Sequence, residues 1–286
     1  MAPITIGSNV QSINAQRRLE NTSSSLQKVY ERLSSGRRIN SASDDPAGLT
    51  IADRLNADQR LATTAIRNTN DGISALTVAD SALEEIGNVL SRLAELSQQA
   101  ANGVYSTAQR SALDAEFSAL GSEIDRVASA TVFNGFGLVS GGNAIVLQIG
   151  LDATAASRIQ VNAVTGTMQG LGLSNTSSVQ IYSLNGISAT EGSSSSRLAL
   201  DAVNRAIGSL SALRGQLGAT DSRLQTAVKS LSSIRQNYAA AESRVRDTDV
   251  AADAAEVTRL NILQQAGSSI LAQANQIPSL ALKLLG

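Results

Sequence analysis

Cysteine and histidine are both absent from this chain of 286 residues. Their absence removes disulfides, thiolate nucleophiles, imidazole bases and Cys/His zinc sites, which excludes the commonest catalytic and metal constellations. Tryptophan is also missing and aromatics reach only 2%, so the 42% hydrophobic fraction is carried mainly by Ala, Leu, Ile and Val. Cores of that make suit thin helical layers, which have little interior for large rings. The formal net charge is -1, and no block of basic residues interleaved with aromatics occurs. Neither nucleic acid nor an anionic membrane is therefore an expected partner. Apolar runs are short and broken by Ser, Gln and Asn, too short to span a bilayer. No glycine-rich phosphate-binding motif follows a strand-like run, and no cofactor or metal is expected. The amino terminus lacks the basic start, apolar stretch and small-residue cleavage site of a secretory signal, so the chain is expected to stay in the cytosol or to leave without a cleaved leader.

What is present is periodicity. Val203, Leu210, Leu217, Leu224, Leu231, Tyr238 and Val245 recur every seven residues, widened by Leu213, Ala227, Ile234 and Ala241. A seven-residue apolar repeat keeps one seam of a long helix against other helices. At 1.5 Å per residue the run extends roughly 60 Å, longer than a helix of an ordinary core. A second ladder lies in the amino-terminal half at Leu55, Ala62, Thr69, Leu76, Leu83 and Leu90. Two long seams separated by a non-helical middle predict a mainly α fold. It is a long helical rod, made by antiparallel, coiled pairing of the chain's two halves, with a small tip rich in β-hairpins. That geometry belongs to a structural protein.

Local signals divide the chain further. Residues 6–35 have helical apolar spacing at Ile6, Val10, Ile13, Leu19, Leu26, Val29 and Leu33, but polar residues fill the rest, and such a helix is marginal alone. Gly36 reads as a left-handed helix stop. Asp44 or Asp45 before Pro46 reads as an N-cap with proline in the first turn. That role outweighs a pair of catalytic acids. Helices are predicted over residues 46–101 and 107–129, the latter with Leu113, Phe117, Leu120, Ile124 and Val127 on one face. From Phe133 to Gly192 the turn signals Asn134-Gly135, Gly141-Gly142 and Asn185-Gly186 flank an apolar run, Ala144 to Ile149, and the alternating stretch Arg158 to Ala163. Gly192 to Ser196 reads as a flexible lead. The last segment repeats Leu260, Leu263, Gly267, Ile270, Ala274, Ile277, Ala281 and Leu284, with Pro278 expected to kink it.

Several phrases together carry a resemblance. They are Asn14-Ala15-Gln16-Arg17, Leu33-Ser34-Ser35-Gly36, Arg38-Ile39-Asn40-Ser41-Ala42 with Asp44-Asp45-Pro46-Ala47-Gly48-Leu49, and Glu123-Ile124-Asp125-Arg126-Val127 followed by Phe133-Asn134-Gly135. Near the other end stand Ile262-Leu263-Gln264-Gln265-Ala266-Gly267 and Leu271-Ala272-Gln273-Ala274-Asn275-Gln276-Ile277-Pro278. The chain resembles bacterial flagellin, the flagellar filament subunit, in a near-minimal form without large variable outer domains. The resemblance implies an inner-core helix and spoke over residues 1–43, rod helices over 44–131, a short β and turn region over 132–192, a carboxyl-terminal rod helix over 193–246 and an inner-core helix over 247–286. It implies a non-enzymatic subunit that assembles with itself into an extracellular filament for swimming motility. It also implies export in the unfolded state through the flagellar secretion channel, and encounters with the export apparatus, an export chaperone, the filament cap and hook-junction proteins.

Two sets of residues follow from the stripes, one for assembly and one for the core of the rod. Ile6, Val10, Ile13, Leu26, Leu33, Leu260, Leu263, Ile270, Ile277 and Leu284 form a self-assembly seam, because polar-rich terminal helices cannot bury their stripes against a small middle region. Leu76, Leu83, Leu90, Leu210, Leu217, Leu224, Leu231 and Tyr238 form the rod core. Arg92, Leu96 and Glu116 match, through the resemblance, a surface contacted by the innate immune receptor for flagellin, with Ala94 as a departure; they are equally a subunit contact. Leu96 is expected to point away from the stripe of Leu76, Leu83 and Leu90. Asn21-Thr22-Ser23, Asn175-Thr176-Ser177 and the serines at 193–196 are weak modification signals. A hook–filament junction protein and a non-polymerising coiled-coil scaffold are the alternatives, separated from a filament subunit by imaging concentrated protein.

Overall fold

The computed structural model describes residues 8–142, 144–175, 180–185 and 188–285, and side chains throughout these except at 189–190 and 277–285. Among the described residues there are five α-helices: α1 (Val10–Ser35), α2 (Pro46–Ala100), α3 (Thr107–Ala130), α4 (Ala189–Arg246) and α5 (Val250–Leu285). Two antiparallel hairpins lie between α3 and α4: β1 (Val132–Phe133) with β2 (Phe136–Gly137), and β3 (Ile145–Gln148) with β4 (Arg158–Val161). The mainly α expectation with a small hairpin region holds. The backbone packs as two compact units, residues 1–59 with 236–286 and residues 60–235, so the boundary falls inside α2 and inside α4.

In the larger unit the amino-terminal ladder lies inside. Ala62, Thr69, Leu76, Leu83 and Leu90 are buried, and Thr69, the polar member, donates its hydroxyl to the Ala65 carbonyl 2.7 Å away. A polar group can sit in an apolar seam only when bonded in this way. Phe117 and Ile124 of α3 and Val203, Leu210, Leu217 and Leu224 of α4 complete one continuous core. Ile159 and Val161 of β4 join it, so the hairpin region packs on the same core as the helices. Asn134 and Gly135 both take positive φ between β1 and β2, as a two-residue type I′ turn requires.

The carboxyl end of α2 is closed by side chains from the other two helices. Arg110 of α3, only 1% exposed, donates from Nε to the Ala100 carbonyl (2.9 Å) and from Nη2 to the Asn102 carbonyl (3.1 Å). Ser193 of α4 donates to the Ala101 carbonyl (2.9 Å). Carbonyls that a helix leaves unpaired at its last turn, where the dipole favours a cation, are thereby satisfied. The segment expected to be a flexible lead is helical for the same reason. Ser188 and Glu191 exchange backbone bonds as a capping box, and buried Ser196 donates to the carbonyls of Gly192 and Leu184. Serines read as linker thus serve as caps and ties.

On the surface of this unit Arg214 of α4 pairs with Asp80 (2.8 Å) and more loosely with Glu84 (3.4 Å) of α2. The Arg214 hydrogen bond holds the Asp80 carboxyl below its ordinary pKa, against a smaller opposing effect of burial. A depressed acid contributes stability above its unfolded pKa of about 3.9, and the contribution disappears as pH falls through the lower folded value. Both side chains are well exposed, so Asp80→Asn is expected to cost under about 1 kcal/mol at neutral pH. Thermal unfolding of both proteins checks this: the Tm gap present near pH 7 should close near pH 2.

In the smaller unit α1 and α5 pair. Asn9 caps α1 by accepting from the Ser12 amide, and Gly36 ends it with φ 68°, the left-handed stop that glycine adopts without penalty. Asp45 caps the first turn of α2 by accepting from the Gly48 amide (2.9 Å). Asp44 instead accepts from the amides of Ser41 and Asn40 and from the Ser41 hydroxyl, which holds its pKa low and its charge fixed within the loop. The two acids are thus a loop brace and a cap. α5 continues past Pro278 to Leu285.

Candidate assembly surface

The α1–α5 pair buries little of its apolar stripe within the chain. Leu26, Val29 and Leu260 form one small cluster, with Leu33 and Val257 half-buried beside it. Among the described residues Ala15, Ser12 and Ala274 are the other buried contributors along the outer stretch of the pair, held by Asn9 Nδ2 donating to the Ala274 carbonyl (2.8 Å) and Ser12 Oγ donating to Asn275 Oδ1 (2.7 Å). Val10, Ile13, Leu263 and Ile270 are exposed, Ile13 by 58% and Ile270 by 57%. The expected seam therefore divides. Leu26 and Leu260 are buried together within the chain, whereas Val10, Ile13, Leu263 and Ile270 are exposed. Ile6 lies outside the described residues, as do the side chains of Ile277 and Leu284.

Sequence spacing did not single out Ile262, Val250 and Tyr30, which are also large and exposed on these two helices. Ile262 had a signal, since it stands beside Leu263 at the edge of the same stripe. The polar bonds from Asn9 and Ser12 to α5 had none, because they depend on the register between two helices far apart in sequence.

Of the residues expected in the rod core, Leu76, Leu83, Leu90, Leu210, Leu217 and Leu224 lie in the core of the larger unit. Leu231 is buried outside that cluster, and Tyr238 is half-buried.

Arg92, Leu96 and Glu116 do not share a surface. Arg92 donates to Glu116 across the α2–α3 antiparallel pair (2.8 Å) and to Glu95 (3.0 Å), both exposed, and these bonds, Glu116 foremost, push its pKa further up. Leu96 is 1% exposed and belongs to the core. The expectation that it faces outward is wrong because α2 is covered by α3 as well as by α4. Its buried arc accordingly takes in Ile86, Leu93 and Leu96 beside the ladder. Leu96→Ala should therefore destabilise the protein by about 2–5 kcal/mol, while Arg92→Ala should stay within about 1 kcal/mol. Urea unfolding of the two variants distinguishes a core from a surface residue.

Comparison with known proteins bears on what such surfaces serve. The model of the bacterial flagellin N-terminal helical region matches residues 6–144, and that of the bacterial flagellin C-terminal helical region matches residues 200–285. The chain belongs to the bacterial flagellin family. A flagellin of Halalkalibacterium halodurans is 36% identical over 280 residues, covering 98% of this chain and 99% of the relative. The flagellar filament 33 kDa core protein of Treponema phagedenis is 36% identical over 289 residues, covering 98% and 99%. A solved structure of a putative flagellar hook-associated protein from Vibrio parahaemolyticus superposes with a TM-score of 0.57 at 15% identity, over 71% of this chain and all of that one, a likeness of fold. Flagellins are structural subunits of the flagellar filament, and this chain is such a subunit, not an enzyme. No described helix is long and apolar enough to cross a membrane.

Proposed function

We propose that the open faces of α1 and α5 are the surface by which copies of this flagellin pack into an extracellular filament that drives swimming. What carries the proposal is the exposure of Val10, Ile13, Ile262, Leu263 and Ile270 on a helix pair whose described large side chains bury one small cluster, Leu26, Val29 and Leu260, with the small residues Ala15 and Ala274 buried besides. Exposed aliphatics repeated along two helices favour burial against neighbours, at about 1.5–3 kcal/mol for each side chain fully covered. Contacts between unlike faces generate an open helical polymer. Ile6, Ile277 and Leu284 extend the same stripe in sequence. Negative-stain imaging with sedimentation of the concentrated protein tests this, with long filaments of uniform width expected; monomers or closed oligomers at every concentration would remove it.

Before assembly the same side chains need cover. An export chaperone gripping Leu263 and Ile270, passage of the unfolded chain through the flagellar secretion channel, and later contact with cap and hook-junction proteins fit a cysteine-free chain with exposed terminal stripes. A second role is favoured by the exposed Arg92–Glu116 pair, which offers a charged surface to the innate immune receptor for flagellin; Leu96 takes no direct part. A receptor reporter assay on monomer and on Arg92→Ala and Glu116→Ala tests it, with reduced signalling from both variants expected.

A further inference from the structure

Charge is unevenly distributed along the larger unit. Residues 60–70 of α2 and 222–235 of α4 carry Arg60, Arg67, Arg223, Lys229 and Arg235, and no acid. The two segments lie side by side under the second hairpin. Asn68 donates to the Gln148 carbonyl of β3 (3.2 Å), and Ile159, which pairs with Leu147 across the hairpin, shares a groove with Ser222 and Thr226. All five cations are exposed, and among the described residues none of them pairs with a carboxylate. Neither segment holds an aromatic residue, so a nucleic acid strand has no ring to stack on.

The next stretch of α2 has the opposite sign. Residues 71–95 carry Asp71, Asp80, Glu84, Glu85 and Glu95 against Arg92 alone. The cations that reach this stretch are outnumbered, since Arg214 is shared by Asp80 and Glu84, and Arg92 by Glu95 and Glu116. Asp71 and Glu85 are exposed and pair with no cation among the described residues. They stand two heptads apart, hence on one face of the helix.

From this division of charge we infer that copies of the chain meet head to tail, the basic stretch of one against the acidic stretch of the next, an inference that rests on the self-assembly proposed above. Copies side by side in register would set cations against cations and carboxylates against carboxylates. A stagger along α2 brings opposite signs together instead. Two different faces then meet, the kind of contact that repeats without closing. Exposed ion pairs add little affinity singly, but complementary fields speed encounter and fix register. The contact therefore sets how copies stack, while the aliphatics of α1 and α5 supply the burial that holds them.

Charge reversal in the full chain tests this. One variant carries Arg67→Glu with Lys229→Glu, the other Asp71→Lys with Glu85→Lys. All four positions are exposed, so both variants should keep native helicity by circular dichroism. Alone, each should need about tenfold more protein to polymerise, because like charges now face each other at the contact. Mixed in equal amounts, the two should polymerise near the concentration that the unaltered chain needs, since the reversed stretch of one matches the reversed stretch of the other. Arg67→Gln with Lys229→Gln, which removes charge and adds no repulsion, should give a smaller rise, and no rise from it would overturn the inference. So would normal polymerisation of either reversed variant alone, or a mixture of folded variants no better than its parts. Those outcomes leave α1 and α5 as the assembly surface. No filaments from the unaltered chain would remove that surface and this contact with it.

Discussion

A chain trimmed to residues 44–246 remains a soluble, helical monomer at concentrations where the full chain polymerises. The trimmed protein loses α1 and α5, and with them every exposed aliphatic of the proposed assembly surface. It keeps the whole core of the larger unit, from Leu76, Leu83 and Leu90 to Phe117, Ile124, Val203, Leu210 and Leu224. That core also keeps the capping of α2 by Arg110 and Ser193. Circular dichroism should therefore report a folded helical protein with a cooperative thermal transition, and sedimentation should report a single small species. Filaments from the trimmed chain would place assembly in the larger unit and remove α1 and α5 from the account.

Ile270→Asp has the second large effect, and it separates assembly from folding. Ile270 is more than half exposed in the single chain, so the substitution should alter monomer stability by no more than about 0.5 kcal/mol. In the proposed assembly surface the same position would become a dry seam, where an unpaired carboxylate costs several kcal/mol per copy. At 1.4 kcal/mol per factor of ten, a penalty of about 3 kcal/mol raises the concentration needed for polymerisation by more than about a hundredfold. The expected result is native helicity, an unchanged Tm and no filaments. Leu260→Asp is the contrasting case: Leu260 is buried within the chain, so helicity and assembly should both suffer. Normal filaments from Ile270→Asp would take this side chain out of the seam.

Much of the local architecture was legible because its causes are local. The seven-residue ladders, the left-handed stop at Gly36, the cap at Asp45 before Pro46 and the turn at Asn134-Gly135 each depend on residues a few positions apart, whose side-chain chemistry sets the backbone directly. A repeat in sequence is enough to say that a helix has an apolar stripe. It cannot say which molecule covers it. Leu260 and Leu263 stand three residues apart in one repeat, yet one is buried against Leu26 and Val29 and the other is open. The register of α1 against α5 decides between them.

The same limit explains the two misread segments. Serines 193–196 looked like linker because serine hydroxyls compete with helix bonds. Ser193 and Ser196 instead find acceptors on Ala101 and Leu184, residues that only the folded chain brings near. Leu96 looked like a surface residue because it lies one turn from Arg92. Two helices rather than one cover α2, and the second widens its buried arc until Leu96 is inside while Arg92 stays out with Glu116. By itself the sequence determined helices, stops, turns and the exclusion of Cys and His chemistry, all set by near neighbours along the chain. Which apolar faces close internally and which remain for another copy was decided by tertiary packing, because burial depends on what stands opposite a side chain and not on its spacing.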